Sequence, residues 1–149
     1  MKSVRSNKPV RVLIVDDARA MRAMIRAVLT AAPGIDVVGE AASAREAETA
    51  IAALAPDLIT LDLEMPQMHG LEFLECLMRR RPMPVVVVSA KAAENSRSAV
   101  LALSLGAVDC IDSMRLFHDD AEQGRLIDTV LAVGNQQPFV RVPRGPVTG

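Results

Sequence analysis

The sequence predicts an α/β fold in which a doubly wound, five-stranded parallel sheet carries helices on both faces. Short runs rich in valine, isoleucine and leucine alternate along the chain with segments whose apolar residues recur at helical spacing. Proline, glycine and acidic residues separate these segments. Crossovers between parallel strands must be right-handed, so five such units give helices on both sides of one sheet.

Five runs of residues are candidates for strands, and their apolar patterns predict different degrees of burial in the sheet. They are Val10–Val15, Ile35–Ala41, the run that opens at Leu58 and ends before Asp62, Pro84–Ser89 and Val108–Asp112. The fourth has apolar side chains at four consecutive positions, as a strand covered on both faces requires. We therefore expect it at or near the centre of the sheet.

The helix candidates follow the strands. Helical spacing is found at residues 21–29, 47–54 and 71–78, and a last helix is expected from about Asp119 to Val133, ended by Gly134-Asn135. Ser43 and Glu46 have the spacing of a capping box, which predicts the start of the second helix. Asn95 is the expected cap of the fourth helix, with Val100 and Leu103 on its apolar face.

Length, charge and cysteine content limit the classes of function. A chain of 149 residues, half of them hydrophobic, is the size of one domain with a full core. A net charge of −1 argues against a nucleic-acid or anionic-membrane binder. Cys76 and Cys110 form no disulfide framework, and no apolar run approaches membrane-spanning length. We expect a cytoplasmic protein without membrane insertion, with its domain at residues 10–134, a disordered segment at 1–9, and a flexible tail or linker remnant at 135–149.

Polar residues follow several strands at the same edge of the predicted sheet. Asp16 and Asp17 end the first strand, Asp62 ends the third, Ser89 ends the fourth, and Ser113 follows the fifth. If the first and third strands are neighbours, three carboxylates converge, and like charges that close cannot all stay ionised without a cation. Such hard oxygen ligands suit Mg²⁺. A plainer interpretation of the Asp16-Asp17 pair is that it caps the first helix.

These blocks together resemble the receiver domain of two-component response regulators. They are Asp16-Asp17, Asp62 in Asp-Leu-Glu-Met-Pro-Gln-Met-His-Gly, Ser89-Ala90, and Gly106-Ala107-Val108-Asp109, within a resemblance that covers about residues 10–133. More narrowly, residues 59–66, 70–74 and 77–84 are similar to the receiver of the chemotaxis protein-glutamate methylesterase. Since nothing here resembles that enzyme's catalytic domain, we expect no enzymatic activity beyond Mg²⁺-assisted self-phosphorylation.

The resemblance implies a strand order of 2-1-3-4-5 and a role for each residue at the edge. Asp62 would accept a phosphoryl group from a histidine kinase or phosphotransfer protein. Asp17, Asp62 and the backbone carbonyl of Glu64 would bind Mg²⁺, and Asp16 would bind it through a water molecule. Ser89 would contact the phosphoryl group and change the surface that a downstream target protein binds.

The sequence departs from the family pattern at two positions. The family has Lys-Pro after the fifth strand, where this chain has Ser113-Met114. Loss of that lysine removes a charge-assisted contact worth about 1.5–3 kcal/mol. The aromatic switch position is Cys110, whose small thiol cannot mark two states by a ring movement. Lys91 could reach the pocket, although its position does not match the family lysine.

Three function classes remain open from the sequence. The first, which we favour, is a phosphorylatable signalling receiver in a chemotaxis-related phosphorelay. The second is a degenerate receiver that works as a phosphorylation-independent interaction module, suggested by Ser113 and Cys110. The third is a regulatory fragment of a methylesterase. A serine hydrolase is disfavoured, since the chain has no Gly-x-Ser-x-Gly motif.

Overall fold

A computed structural model describes residues 8–65, 69–93 and 95–136 of the chain. The strands are β1 (Val10–Val15), β2 (Ile35–Ala41), β3 (Leu58–Leu61), β4 (Val85–Ser89) and β5 (Asp109–Asp112). The helices are α1 (Arg19–Thr30), α2 (Ala44–Leu54), α3 (Gly70–Arg80), α4 (Arg97–Leu105), α5 (Ser113–Leu116) and α6 (Asp120–Gly134). The expected disordered segment 1–9 and tail 135–149 lie outside the described residues, except for residues 8, 9, 135 and 136.

The five strands form one parallel sheet in the order β2-β1-β3-β4-β5. This confirms the predicted doubly wound fold and the strand order that the family resemblance implied. β3 occupies the centre, and β1 lies beside it, with Val15 paired to Leu61 at the carboxyl ends of the two strands. The residues that follow these two strands are therefore neighbours at one edge of the sheet.

The sheet separates two apolar cores. One core packs α2, α3 and α4 against one face, and the other packs α1 and α6 against the opposite face. In β4, Val85 and Val87 enter the first core, while Val86 and Val88 enter the second. All four valines are at most 1% exposed. The unbroken apolar run thus reflects burial on both faces, as expected for an inner strand of a parallel sheet.

The second helix begins at a capping box that differs slightly from the predicted one. The Ser43 hydroxyl accepts a hydrogen bond from the backbone N–H of Glu46, at 3.1 Å. The Glu46 carboxylate accepts from the N–H of Ala42, at 2.9 Å, one residue before the cap. The serine acts as predicted, but the glutamate satisfies a donor outside the helix, since the chain turns sharply between β2 and α2.

The cap of α4 is Ser96, so the prediction of Asn95 was wrong by one residue. The Ser96 hydroxyl accepts from the N–H of Ala99 at 3.1 Å, and its backbone is extended, as a cap residue requires. Asn95 has a left-handed φ of 65°. Asparagine tolerates that conformation better than most residues, so its place here is the turn before the helix.

Of the two residues predicted for the apolar face of α4, Leu103 packs against the first core, but Val100 does not belong to this face. Val100 is 50% exposed, and Leu103 is only partly buried. The helix contacts the sheet through the small residues Ala99 and Ala102, which are 5% and 0% exposed. Hydrophobicity favoured the larger side chains, but close packing of α4 on the sheet selects the alanines.

A four-residue helix, α5, follows β5 and was not predicted. Its N-cap is Asp112, whose carboxylate accepts from the N–H of Met114 at 3.0 Å. Leu116 is fully buried in the second core, while Met114 and Phe117 are more than half exposed. One turn of helix is too short to show a periodic apolar pattern, so the sequence indicated only a loop here.

Gly134 was predicted to stop the last helix, but it is the final helical residue and packs against β1. A Cβ added there would overlap the side chain of Val10. Asn135, in a right-handed conformation, is the C-cap. The same helix contains Gly124, where an added Cβ would meet nothing within 4 Å. One glycine of α6 is therefore needed for packing and the other is not.

These two glycines give a matched test of the packing between α6 and β1. Gly134→Ala should lower the free energy of unfolding by about 1–3 kcal/mol, because the added methyl group overpacks a buried contact. Gly124→Ala should raise it by about 0.5–1 kcal/mol, because alanine loses less backbone entropy in a helix. Denaturation with urea, followed by circular dichroism, measures both. Equal effects of the two substitutions would contradict this packing.

Candidate functional site

Three aspartates meet at the carboxyl edge of the sheet. Asp16 and Asp17 follow β1, and Asp62 follows the neighbouring strand β3. One carboxylate oxygen of each lies within 4.8 Å of the others. Asp16 and Asp62 are 3% and 8% exposed, whereas Asp17 is open to solvent. The three carboxylates converge because β1 and β3 are neighbours in the sheet. The sequence predicted this convergence only on the condition that these two strands are adjacent.

Backbone hydrogen bonds hold the two buried aspartates in place. The N–H of Asp16 donates to the carbonyl of Ala41 on β2, and the N–H of Asp62 donates to the carbonyl of Val15, both at 3.0 Å. Each carboxylate also accepts a nearby N–H. Asp16 accepts from Ala18 at 2.9 Å, and Asp62 accepts from Glu64 at 3.1 Å. The sheet thus orients both side chains into the site.

Capping of the first helix does not account for the acidic pair. Ala18 is the N-cap of α1, it makes no side-chain capping bond, and the first turn of the helix contains no acidic residue. Asp16 lies two residues before the cap and closes a tight turn onto the N–H of Ala18. Asp17 is exposed beside it. Both aspartates therefore precede the cap residue of α1, and neither acts as the cap.

Burial and mutual repulsion make the two buried carboxylates unusually hard to ionise. Burial is the main cause that raises the pKa of Asp16 to about 7, and the charges of Asp62 and Asp17 raise it further. The pKa of Asp62 is also raised, mainly by burial, although bonds from Glu64 and Ser89 oppose this. A bound cation would stabilise the ionised form of both side chains.

Arg22 supports this site, and the sequence analysis did not identify it. Its guanidinium donates to the backbone carbonyl of Asp16 at 2.8 Å and to Glu40 at 3.0 Å. Its charge lowers the pKa of Asp16, in opposition to burial. Arg22 lies one turn after the start of α1, so it faces back toward the acidic loop. A basic residue one turn into a helix that follows an acidic loop was the available signal.

Ser89 and Lys91 complete the edge on the side of β4. Ser89 is 1% exposed, and its hydroxyl interacts with the Asp62 carboxylate and accepts the N–H of Lys91 at 3.2 Å. The Lys91 ammonium lies 3.5 Å from the carboxylate of Glu64, which is two residues after Asp62. The loop after β4 therefore contacts the loop after β3 directly.

The two positions that depart from the family pattern lie beside β4 as well. Ser89 pairs with Asp112 at the end of β5, and Ser113 follows immediately, 3% exposed, as the first residue of α5. Cys110 is 7% exposed, with its sulfur 3.7 Å from the carbonyl of Ala99. This small buried thiol packs between β5 and α4 as part of the core.

The donor set fits a hard divalent cation. Opposite ligands of an octahedral Mg²⁺ lie about 4.1 Å apart. The aspartate oxygens, all within 4.8 Å of one another, are therefore in reach of one ion and its bound water molecules. The ligands are carboxylates only, without the imidazole or thiolate that softer metals prefer. Asp16, Asp17 and Asp62 would hold the ion.

A family model described as the response regulator receiver domain matches residues 12–113. The chain belongs to this receiver family. The match runs from β1 to the first residue of α5, so it contains the acidic edge and the loop after β4.

Curated relatives extend the comparison to longer proteins. The chain is 48% identical over 127 residues to a protein-glutamate methylesterase/protein-glutamine glutaminase of Agrobacterium fabrum, covering 85% of this chain and 36% of that protein. It is 52% identical over 102 residues to a protein of the same name from Caulobacter vibrioides, covering 68% of this chain and 30% of that protein. The receiver chain therefore spans about a third of these relatives' length.

Solved structures share the receiver fold. The response regulator domain of Thermotoga maritima CheB superposes with a TM-score of 0.78 at 32% identity, covering 88% of this chain and all of that domain. A chain of the CheX-CheY-BeF3-Mg²⁺ complex from Borrelia burgdorferi superposes with a TM-score of 0.70 at 26% identity, covering 85% and 90%. Within residues 8–65, 69–93 and 95–136, the receiver has no helix long and apolar enough to cross a membrane.

The raised pKa of Asp16 predicts how stability depends on pH. Because the folded protein binds this proton more tightly than the unfolded chain does, the residue stabilises the fold at low pH, and this contribution is lost as the pH rises toward 7 and above. In the absence of divalent cations, Asp16→Asn should raise the free energy of unfolding at pH 8 by about 1–3 kcal/mol. The gain should shrink toward pH 5.5.

Urea denaturation of wild type and variant across this pH range measures the difference. Asp36→Asn is the matched control, since it makes the same substitution at an exposed position on β2. A pH-independent difference between wild type and Asp16→Asn would contradict a titration of Asp16 near neutrality.

Proposed function

We propose that this receiver accepts a phosphoryl group on Asp62 from a histidine kinase or a histidine phosphotransfer protein. The observation that carries the proposal is the convergence of Asp16, Asp17 and Asp62 beside the Ser89 hydroxyl at one edge of the sheet. Backbone bonds hold this arrangement before any donor arrives. Phosphoryl transfer depends mainly on such positioning and on neutralisation of charge.

Mg²⁺ is the cofactor proposed for this site. When bound, it would neutralise the negative charge of the carboxylates and of the incoming phosphoryl oxygens. Asp17 and Asp62, with the backbone carbonyl of Glu64, are the proposed direct ligands, and Asp16 the ligand through water. Support comes from the all-oxygen donor set and from the pKa values of Asp16 and Asp62, which burial and neighbouring charge raise.

In the proposed transfer, a carboxylate oxygen of Asp62 attacks phosphorus while the bond from phosphorus to the donor imidazole breaks. The attacking oxygen must be unprotonated. The bonds from Glu64 and Ser89 favour that form, because they lower the pKa of Asp62 against the effect of burial. The low exposure of Asp62 also limits the access of water to the resulting acyl phosphate.

The proposed output follows from the loop after β4. Ser89 would turn its hydroxyl toward a phosphoryl oxygen and move the backbone of Lys91, whose N–H is bonded to it. A downstream target protein would recognise the altered surface. The similarity to methylesterases suggests a chemotaxis-related phosphorelay in which this receiver regulates such an enzyme. The converging aspartates weigh against the alternative of a phosphorylation-independent module.

The phosphoacceptor assignment predicts a single site of labelling. Incubation with acetyl phosphate and Mg²⁺ should add one phosphoryl mass to wild type, and Asp62→Asn should abolish it, since the amide is not a nucleophile of this kind. Intact-protein mass spectrometry measures the addition. Asp36→Asn, an exposed change on β2, is the control and should label normally. Full labelling of Asp62→Asn would place the phosphoacceptor elsewhere.

The metal assignment predicts a strong effect at Asp17. Asp17→Asn should weaken Mg²⁺ binding by about tenfold or more, because a charged oxygen ligand of a hard cation becomes neutral. NMR titration of the amide signals of residues 16–18 and 62–64 measures the affinity. Asp36→Asn again serves as the control. An unchanged affinity in Asp17→Asn would exclude this ligand set.

A further inference from the structure

Four residues form a closed set of contacts around the phosphoacceptor. The Glu64 N–H donates to Asp62 at 3.1 Å, and the Glu64 side chain lies 3.5 Å from the ammonium of Lys91. The Lys91 N–H donates to Ser89 at 3.2 Å, and the Ser89 hydroxyl interacts with Asp62. Ser89 therefore links the backbone of Lys91 to the side chain of Asp62. The Lys91 ammonium lies beside the loop that contains Asp62 and Glu64.

The backbone of Lys91 is anchored on both sides. Its N–H is bonded to Ser89, and its carbonyl accepts the hydroxyl of Ser96, the N-cap of α4, at 2.9 Å. Its side chain is 58% exposed and that of Glu64 is 53% exposed. Exposed ion pairs are weak, since solvent screens them and both side chains lose freedom. A fixed backbone with a loosely held, flexible ammonium can turn toward a stronger anion.

A phosphoryl group on Asp62 would be that stronger anion. It carries up to two negative charges, compared with one on Glu64. Ser113, the residue that follows β5, is buried and uncharged. Arg22 is a cation beside Asp16, but its guanidinium is already bonded to the Asp16 carbonyl and to Glu40.

We propose that Lys91 moves from Glu64 to the phosphoryl group on Asp62 and supplies the positive charge that Ser113 cannot. Glu64 would hold the ammonium near the site in the unphosphorylated protein and compete with the phosphoryl group for it. This inference rests on the proposed function of Asp62. It assigns Lys91 as a residue that contacts the transferred group, and Glu64 as the residue that positions it.

Binding of beryllofluoride, a phosphoryl analogue, in the presence of Mg²⁺ tests the proposal. Lys91→Gln should weaken its binding by about fivefold to tenfold, the effect of losing one charge-assisted contact, while Lys91→Arg keeps most of the affinity. Glu64→Gln should tighten binding by about twofold to fivefold, because the competing carboxylate is removed. The chain has no Trp and no Tyr, so NMR rather than intrinsic fluorescence is the measurement.

Lys8→Gln is the matched control. It removes the same charge from an exposed position just before β1, at the opposite edge of the sheet. It should leave beryllofluoride binding unchanged, and Mg²⁺ affinity measured without beryllofluoride should be similar in wild type and in Lys91→Gln. An equal loss of beryllofluoride affinity in Lys8→Gln would indicate an effect of net charge and overturn the proposal.

The failure of this inference can be distinguished from the failure of the proposed function. If Lys91→Gln binds beryllofluoride as wild type does, while Asp62→Asn does not bind it, Lys91 has no such role and Asp62 keeps its assignment. If wild type neither binds beryllofluoride nor is labelled by acetyl phosphate, both proposals are overturned. Weaker binding in Lys91→Gln, with normal binding in Lys8→Gln, supports the transfer of the ammonium.

Discussion

Holding three carboxylates together at a partly buried edge is the constraint on which the rest of the site depends. Removal of Asp16 and Asp62 from water raises their pKa values, and the neighbouring negative charges raise them further. The fold accommodates this because β1 and β3 are neighbours, because each buried carboxylate accepts a backbone N–H, and because Arg22 binds the Asp16 carbonyl. A positive charge bound at this site would therefore stabilise the ionised form of the carboxylates.

Arg22 and Lys91 place positive charge at this edge from different parts of the chain, and their side chains are held with different strengths. Arg22 is bonded to two groups and only 15% of its side chain is exposed, so it serves as a fixed component. Lys91 is exposed and paired only with Glu64 in the described ion pairs, so it can respond to a new anion. Its carbonyl bond to Ser96 connects any movement of this loop to the start of α4. In the proposed function, a change of charge at Asp62 would alter the surface of that helix through the contact between Lys91 and Ser96.

Prediction from sequence succeeded where one local pattern has one physical explanation. The four valines of β4 predict a strand buried on two faces, and the capping serine of α2 identifies the helix start. It failed at α4, where Asn95 and Ser96 are both acceptable caps by residue type. It failed again at Val100, because hydrophobicity alone does not reveal how closely a helix approaches the sheet. Burial of Leu116 in the second core holds the helix α5 in place. Most residues of that core are distant from Leu116 in sequence.

The sequence by itself determined the alternation of strands and helices, the burial of β4 on both faces, and the presence of an aspartate after β1 and after β3. Those properties depend on residue type and spacing, which are local. Only the tertiary structure decided that the aspartates of β1 and β3 share one pocket and that Lys91 lies against Glu64. Those contacts join residues separated by 27 to 46 positions in the chain. Such distances are set by strand order and side-chain packing, which no local pattern encodes.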